Sequence, residues 1–407
     1  MRHSCLPPLA GRRVLLGVAG GIASYKTAWL ARLLATAGAD VDVVMTRSAT
    51  EFVGPVTFEA LTGRPVHTGL FDDGRALEHI RLAKAAEVVV VAPATADLMA
   101  RAATGQADDL LTAVLLATQA PVLLVPAMND RMWAHAQTRA NAVHLRALGY
   151  EVLAPDDGAL AAGEGSGPGR MPEPDTIYAH VARLLERPHA LRGRSVLVTA
   201  GPTREEIDPV RFISNHSSGK MGVAVAESAW RRGAHVTLVA GPMSVAPPVG
   251  VEHVPVGSTA DMLQAITARL GAADVLVMAA APADYGPAER AAGKLKKSGD
   301  ARTLDLRETP DILQSTRALR RAGAIVVGFA LETDALVENA RRKLVAKGLD
   351  IVVLNAANQP GAGFGVDTNR VTIVTSGRAE PEELPLLSKR EVADAILDRV
   401  EAMLNGR

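Results

Sequence analysis

The chain has 407 residues, with 44 lysines and arginines against 44 aspartates and glutamates, so its formal net charge at neutral pH is zero. This balance argues against nucleic-acid and membrane-surface partners. A single cysteine, Cys5, excludes an intramolecular disulfide and a cysteine zinc site, and no apolar run reaches transmembrane length. We therefore predict a cytosolic protein that is long enough for two domains.

The first half of the chain predicts strands that alternate with helices. Apolar runs indicate strands at 14–18, 41–45, 87–93 and 121–128, and helical spacing indicates helices at 28–34 and 110–118. The first strand leads into a glycine turn, GVAGGIASYK (17–26). Continuous apolar strands between helices are typical of a parallel sheet that is covered on both faces.

The pattern breaks over residues 155–175, which are rich in glycine, proline and acidic residues, and a helix follows at about 176–187. It restarts at Arg194 with a strand, a glycine turn and a helix over Met221–Gly233. Later strands are predicted at 274–279, 324–329 and 350–354. We predict two α/β domains, residues 1–190 and 191–407, each a doubly wound and mostly parallel sheet.

Small and polar residues follow the predicted strands of the first half, at the edge where parallel sheets bind ligands. The turn at 17–26 would direct backbone N–H groups and a helix dipole at a phosphate, although its GxxGG spacing is not the GxGxxG dinucleotide fingerprint. His79 precedes the third strand and fits either a structural or a reactive role. Asn129, in PAMND, suits a helix cap or a ligand for a substrate carboxylate.

GGIASYK, the His79-Ile80 pair, APATADL and PAMN together resemble the flavin-dependent cysteine decarboxylases, specifically phosphopantothenoylcysteine decarboxylase, over about residues 12–187. The resemblance implies a flavodoxin-like, Rossmann-like domain with His79 as the catalytic histidine and Asn129 orienting the substrate carboxylate. It also implies FMN contacts from Gly21, Ile22, Ala23, Thr46, Ser48, Pro93, Ala94 and Thr95.

The implied reaction explains the need for a flavin. A cysteinyl carboxylate cannot lose CO₂ without an electron sink, and oxidation of the C–S unit to a thioaldehyde provides one. The reduced flavin must then return its hydride, and this step requires a proton donor.

The densest polar stretch of the second half is TAGPTREEIDPVRFISNHSSGKMG (199–222), just before a predicted helix. As a plain surface loop it would need only Ser217 or Ser218 as the helix N-cap. Its glycine and Lys220 are similar to a phosphate loop, but Met221 replaces the Ser or Thr of GxxxxGK[ST]. A Walker-type nucleotide hydrolase is therefore disfavoured.

Two lysine clusters accompany the strand-end segment MAAAPADYGP (278–287). One is GKLKKS (293–298), and the other places Lys343 and Lys347 four residues apart on one helix face. Lysine clusters are most often solvated surfaces. Here the two sets would also suit a triphosphate with its metal.

NHSSGKMG, MAAAPADY, KLKK, TPDIL, VGFALET and the lysine helix resemble phosphopantothenate–cysteine ligase over about residues 194–400. The resemblance implies a Rossmann-like domain that activates 4′-phosphopantothenate with CTP and Mg²⁺ as an acyl-cytidylate, from which the cysteine amine displaces CMP. Asn215 would hold the acyl intermediate, Lys294 would contact the nucleotide phosphates, and the CTP phosphates would hold most of the Mg²⁺. The implied CTP pocket consists of Met278, Ala279, Ala280, Asp284, Lys294, Pro310, Asp311, Ile312, Leu313, Phe329, Lys343 and Lys347.

One segment departs from the decarboxylase pattern. The family flap reads roughly LACG, an acidic residue, then GxGR, and its cysteine donates the final proton. Residues 159–170 read ALAAGEGSGPGR, so the cysteine position falls on Ala162 or Gly163. Glu164, Ser166 or water remain as replacement acids.

The leading hypothesis is a bifunctional enzyme that converts 4′-phosphopantothenate and L-cysteine into 4′-phosphopantetheine. One alternative is a ligase whose first domain is only a flavin-binding oligomerisation scaffold, and another is a regulatory binding module. The resemblance further implies a homo-oligomer, with trimeric decarboxylase contacts and dimeric ligase contacts that can build a dodecamer.

Overall fold

A computed structural model describes residues 9–70, 77–160, 163, 165–186, 190–297, 302–332, 336–356, 363, 365–378 and 380–406. The chain divides into two compact units, Met1–Glu186 and Arg187–Arg407. Both are α/β units built on a largely parallel sheet, as predicted. Within the described residues, no helix combines the length and the apolar character needed to cross a bilayer.

The first unit contains eight strands and eight helices in its described part. The strands are β1 (Arg13–Val18), β2 (Asp40–Met45), β3 (Val66–His67), β4 (Val88–Ala94), β5 (Val122–Pro126), β6 (Glu151–Val152), β7 (Asp156–Ala159) and β8 (Ser166–Arg170). The helices are α1 (Ser24–Thr36), α2 (Pro55–Thr62), α3 (Glu78–Ala85), α4 (Ala96–Thr104), α5 (Leu110–Ala117), α6 (Asp130–Ala134), α7 (Ala136–Ala147) and α8 (Pro174–Leu185).

Six strands form one parallel sheet in the order β3-β2-β1-β4-β5-β6, and β7 and β8 form a separate antiparallel hairpin. Successive residues of β1 enter opposite cores. Leu16 packs with Leu30 and Tyr178 on one face of the sheet, whereas Leu15 packs with Leu111 on the other. This burial on both faces explains why the strands are continuous apolar runs.

The second unit repeats this plan with more strands. They are β9 (Ser195–Ala200), β10 (Arg204–Glu206), β11 (Phe212–Ser214), β12 (His235–Ala240), β13 (Glu252–Pro255), β14 (Val275–Met278), β15 (Tyr285–Pro287), β16 (Leu306–Glu308), β17 (Ile325–Glu332), β18 (Ile351–Ala356), β19 (Thr368–Asn369), β20 (Val371–Thr375), β21 (Glu382–Glu383) and β22 (Leu387–Ser388). Its helices are α9 (Lys220–Arg231), α10 (Thr259–Leu270), α11 (Ile312–Ser315), α12 (Leu336–Lys347) and α13 (Lys389–Asn405).

The main sheet of the second unit has the order β13-β12-β9-β14-β17-β18-β20-β21. Neighbours from β13 to β18 run parallel, and β20 and β21 add two antiparallel strands at one edge. The central strands β9, β14 and β17 therefore end side by side. Short antiparallel pairs, β10 with β11 and β15 with β16, lie beyond these ends in sequence.

Helix α13 is joined to α9 by a group of charges at the surface of the core. Asp394 accepts hydrogen bonds from the Ser228 hydroxyl and from Arg231 Nη2, the latter at 2.9 Å. Arg232 Nη1 lies 2.8 Å from Asp398 Oδ1. Both arginines are buried, so these acceptors on α13 compensate charges that α9 would otherwise bury alone.

Candidate active sites

The carboxyl ends of β1, β2 and β4 lie at one edge of the first sheet, and the predicted flavin residues lie there too. Ala19 N donates to Pro93 O at 3.3 Å, which joins the glycine turn to the end of β4. A Cβ placed on Gly20 would lie 2.3 Å from Ser48 Cβ. One placed on Gly21 would lie 3.6 Å from Pro93 Cγ. The turn, the segment after β2 and the end of β4 therefore form one cradle, in which Gly20 has no room for a side chain.

Hydroxyl groups surround this cradle. Thr46 Oγ1 accepts from Ala49 N, and Thr95 Oγ1 accepts from Leu98 N, both at 3.2 Å, so each hydroxyl can still donate outward. Ser48 is exposed, and its hydroxyl bonds to no group within the described ranges. Ala23 is the N-cap of α1, Ala94 ends β4, and Ile22 is 67 % exposed.

His79 lies in the first turn of α3, next to a carboxylate that fixes this turn. Glu78 Oε1 lies 3.2 Å from His67 Nδ1, and Arg81 donates to both Glu78 oxygens at 2.9 and 2.6 Å. His67 pairs with Val44 of β2, one residue before that strand ends, so α3 begins near the ligand edge. The Nδ1 atom of His79 is buried and has no hydrogen-bond partner among the described residues.

Asn129 follows β5, and the oxygen of its side-chain amide is already hydrogen-bonded. Its Oδ1 accepts from Arg131 N at 2.9 Å and caps α6, as one of the two predicted roles requires. No described group accepts from its amide nitrogen, so the second role is still open to it. Ala127 N donates to Ala94 O at 3.2 Å, and this bond holds the Asn129 loop beside the end of β4.

The glycine-rich segment is a hairpin that lies against the Asn129 loop. Met128 N donates to Gly169 O at 3.0 Å, and a Cβ on Gly169 would lie 2.2 Å from Met128 O. At the tip, Gly163 and Gly165 have φ angles of 86° and 85°, which favour glycine. Ser166 is exposed in β8. The alternative positions at Ala162 and Glu164 lie outside the described residues.

A lysine that the sequence analysis quoted without a role connects the flavin turn to this hairpin. Lys26 on α1 is buried and donates to Met171 O at 2.9 Å and to Glu173 Oε1 at 3.0 Å. Glu173 also accepts from Arg170, the last residue of β8. The sequence signal for this role was weak, namely a lysine between Tyr25 and Thr27 in the first turn of a helix.

In the second unit, the strand-end residues form a continuous polar edge. Ala280 N donates to Thr199 Oγ1 at 3.1 Å, and Ala281 N donates to Gly201 O at 2.9 Å. Asn215 Nδ2 donates to Pro282 O at 2.9 Å while the rest of its side chain is exposed. The structure thus brings Asn215 to the segment that follows Met278.

The remaining pocket residues connect to this edge through Thr309. Thr309 N donates to Asp284 O at 2.9 Å, just before Pro310. Lys347 Nζ lies 2.7 Å from Asp311 Oδ2, and Lys343 Nζ donates to Phe329 O at 3.2 Å. Burial raises the pKa of Asp311, but the bonds from Lys347 and from backbone N–H groups outweigh it and hold this pKa below its usual value.

Two expectations for the second site need qualification. Lys294 is exposed and makes no hydrogen bond or ion pair with the other predicted pocket residues in the described part of the chain. The serine cap considered for the helix after NHSSGKMG is wrong. Helix α9 begins at Lys220, and Gly219 is its N-cap with a φ of 77°, because the backbone turns in a left-handed conformation there.

In the described part of each unit, the potential protein ligands for a metal do not cluster. Among the described residues, no three His, Cys, Asp or Glu side chains converge as a metal site would require.

The sequence matches two protein families, one in each unit. Residues 6–186 match the family described as Flavoprotein, and residues 191–404 match the DNA/pantothenate metabolism flavoprotein C-terminal domain. Among solved structures, the chain is similar to the C-terminal domain of a coenzyme A biosynthesis bifunctional protein CoaBC, with 42 % identity, 53 % of this chain and 100 % of that chain covered, and a TM-score of 0.46. It is also similar to the FMN-dependent cysteine decarboxylase SpaF, with 31 % identity, 44 % and 99 % covered, and a TM-score of 0.38.

Curated relatives match along nearly the whole chain. The coenzyme A biosynthesis bifunctional protein CoaBC of Vibrio vulnificus is 44 % identical over 400 residues, which cover 97 % of this chain and 99 % of the relative. The CoaBC protein of Mycobacterium tuberculosis is 47 % identical over 410 residues, with 97 % of each chain covered. At this identity and coverage, the chain belongs to the CoaBC family of coenzyme A biosynthesis bifunctional proteins.

Proposed function

We propose that the chain catalyses two successive steps of coenzyme A biosynthesis. The second unit, with boundaries near residues 191–407, joins L-cysteine to 4′-phosphopantothenate, and the first unit decarboxylates the product to 4′-phosphopantetheine. The observation that carries this proposal is the match to CoaBC proteins over 97 % of the chain. We also propose that the reaction takes place in the cytoplasm.

The first site fits FMN. The turn at Gly20 packs closely against Ser48, and the hydroxyls of Thr46, Ser48 and Thr95 provide donors for a phosphate. When bound, FMN supplies the electron sink that decarboxylation requires. The proposed contacts also include the backbone of Gly21, Ile22, Ala23, Pro93 and Ala94.

Two side chains would act on the substrate itself. A buried imidazole nitrogen without a partner costs about 1–3 kcal/mol, and a substrate proton or an N–H···O bond in the complex would recover this cost at His79. His79 is therefore the proposed base of the oxidative step. The Asn129 amide nitrogen would donate to the substrate carboxylate while its oxygen keeps the cap of α6.

The closing protonation requires another donor because the flap has no thiol. Gly163 has a left-handed φ of 86°, in which a cysteine side chain would be strained. This favours Ala162 as the position that corresponds to the family cysteine. Glu164, Ser166 and a water molecule are the donors proposed in its place.

The ligase site would activate a carboxylate by cleaving a nucleoside triphosphate. Lys294, Lys343 and Lys347 would offset charge on CTP, and Mg²⁺ would bridge its phosphates. Lys347 already contacts Asp311, so the nucleotide would bind beside a preformed ion pair. Asn215 would hold the acyl-cytidylate, since its side chain lies between the α9 loop and the strand-end segment. The remaining CTP contacts proposed are Met278, Ala279, Ala280, Asp284, Pro310, Ile312, Leu313 and Phe329.

The decisive experiment supplies the purified full chain with 4′-phosphopantothenate, cysteine, CTP and Mg²⁺. We expect CTP-dependent release of pyrophosphate, then CO₂ and 4′-phosphopantetheine. Absence of pyrophosphate release would refute the ligase assignment.

The missing thiol favours a second candidate, in which the first unit binds flavin but does not complete the reaction. Phosphopantothenoylcysteine given alone separates the two. Accumulation of the oxidised ene-thiol without 4′-phosphopantetheine would support this second candidate.

We also propose that the chain forms homo-oligomers. Three exposed apolar side chains follow each other here, Ile22 just before α1 and Tyr25 and Trp29 in its first two turns, and they are 67 %, 63 % and 52 % exposed. An apolar stripe of this kind next to the flavin cradle is typical of a subunit interface.

A further inference from the structure

The loop that carries Lys294 is fastened to the segment between β10 and β11. Asp208 lies in this segment, and its carboxylate is fully buried although it is charged. Oδ1 accepts from Val210 N at 2.8 Å and from Arg211 N at 2.9 Å, which closes a local turn. Oδ2 accepts from Arg211 Nη1 at 3.0 Å and from Leu295 N at 3.2 Å.

The bond from Leu295 N spans 87 residues of sequence, and two more bonds run parallel to it. Arg211 Nη1 donates to Leu295 O at 3.1 Å, and Ala291 N donates to Ile207 O at 2.9 Å. Both backbone groups of Leu295 are thus bonded to the Asp208–Arg211 pair. Burial raises the pKa of Asp208, but these donors together hold it below its usual value, so the carboxylate stays charged at neutral pH.

The Asp208 carboxylate accepts four hydrogen bonds, which is more than a surface loop needs to keep its conformation. Leu295 directly follows Lys294, whose side chain is exposed and bonds to no described residue. Fixing the backbone at Leu295 leaves the lysine side chain as the flexible part. A cation held ready near its target loses less conformational entropy when it binds a phosphate than one on an unrestrained loop.

We propose that Asp208 and Arg211 are positioning residues that hold Lys294 in place for the triphosphate of the nucleotide substrate. The proposal rests on the ligase function proposed above. It assigns no direct substrate contact to either residue. Their effect on the reaction passes through the lysine loop alone.

The test uses the full chain with Asp208→Asn, because this change keeps one acceptor oxygen of the side chain and replaces the other by an NH₂ group. The amide oxygen can keep the bonds from Val210 and Arg211 N. The amide nitrogen would face the donors of Arg211 Nη1 and Leu295 N, so the link to the lysine loop breaks. We expect the KM for CTP in pyrophosphate release to rise about tenfold and the KM for cysteine to stay unchanged.

A double-mutant cycle distinguishes positioning from general stability. If Asp208 acts through Lys294, then Asp208→Asn adds nothing to the loss caused by Lys294→Gln. Glu206→Gln is the matched control, because Glu206 Oε2 joins Arg290 Nη2 at 2.5 Å between the same two segments, but both side chains are exposed. We expect this control to leave the KM for CTP unchanged.

Arg211→Met provides the same test if Asp208→Asn does not fold, since its side chain is 45 % exposed and it loses only the two Nη1 bonds. An unchanged KM for cysteine in pyrophosphate release by the same preparation reports that the second unit of the variant is folded. Additive losses with Lys294→Gln, or an unchanged KM for CTP, would overturn the proposal. Wild-type protein without CTP-dependent pyrophosphate release would instead overturn the underlying ligase function.

Discussion

The contact between the flap and the Asn129 loop yields a sharp test, because Gly169 has no room for a side chain. We predict that Gly169→Ala impairs decarboxylation severely while the ligase reaction of the same chain continues. The added Cβ would lie 2.2 Å from Met128 O, 3.2 Å from Asp130 N and 3.3 Å from the carbonyl carbon of Asn129. All three atoms belong to backbone, so no side-chain rotation can relieve the overlap.

The size of the effect follows from these distances. An ordinary contact between a methyl carbon and a carbonyl oxygen is above about 3 Å, so β8 and the Asn129 loop must separate by roughly 1 Å. Overpacking of this kind typically costs about 1–3 kcal/mol of stability, and the bond from Met128 N to Gly169 O is lost with it. A displacement of about 1 Å at a substrate-orienting group can reduce the rate about 100-fold. We therefore expect kcat/KM for decarboxylation to fall about 10- to 100-fold.

The assay measures CO₂ release from phosphopantothenoylcysteine and, in parallel, CTP-dependent pyrophosphate release. Gly167→Ala is the matched control in the same strand, because its Cβ would lie 3.0 Å from Asp130 Cβ, a tight contact that is much smaller in overlap than the 2.2 Å contact at Gly169. We expect this control to retain most of the activity. Equal losses for the two variants, or a Gly169→Ala enzyme with normal kcat/KM, would refute the inferred contact.

Four further predictions concern both units and the assembly. His79→Asn should reduce flavin reduction by substrate about 100- to 10,000-fold and spare pyrophosphate release, and equal loss of both reactions would contradict the assignment. Ala162→Cys should accelerate only the reductive half-reaction in stopped-flow measurements, and an unchanged rate would direct the search for the acid elsewhere. Burial raises the pKa of Asp109, but the hydrogen bonds from Thr112 and Arg101 lower this pKa by a larger amount. The folded pKa of Asp109 therefore lies below the unfolded value. The stability that Asp109 contributes is therefore present above about pH 4 and is lost as the pH falls through the folded pKa. The free energies of unfolding of Asp109→Asn and wild type, measured in urea, should therefore converge in acid. A difference that stays constant with pH would exclude this linkage. Trp29→Lys should reduce the mass of the oligomer measured by light scattering. An unchanged mass would show that the apolar stripe at α1 is not part of the subunit interface.

The central strands were predictable because they are buried on both faces. Residues 88–94 are all buried in β4, and a strand in this position must be apolar throughout, so composition alone identifies it. Helix α7 gives no such signal, because its buried face includes Thr138 and Asn141. Helix α13 does carry a start signal, since Ser388 and Glu391 form a capping box that the sequence analysis did not use.

The strand-end residues of both sites were also predictable, because parallel sheets bind ligands at that edge. Contacts between segments that are distant in sequence were not. Nothing near Asp208 indicates Leu295, and nothing near Gly169 indicates Met128, since each pairing depends on how two loops meet in space. A glycine-rich segment is often mobile, whereas Gly169 serves close packing.

The charged join between α9 and α13 affects when the ligase unit can fold during synthesis. Asp394 is synthesised 166 residues after Ser228. At ordinary rates of translation, α13 therefore becomes available to α9 only after a delay of about 10 to 30 seconds. During this time Arg231 and Arg232 cannot be buried with their acidic partners. The first unit has all its described elements by residue 186 and can form first. The growing chain thus carries a finished flavin domain well before its ligase domain can close.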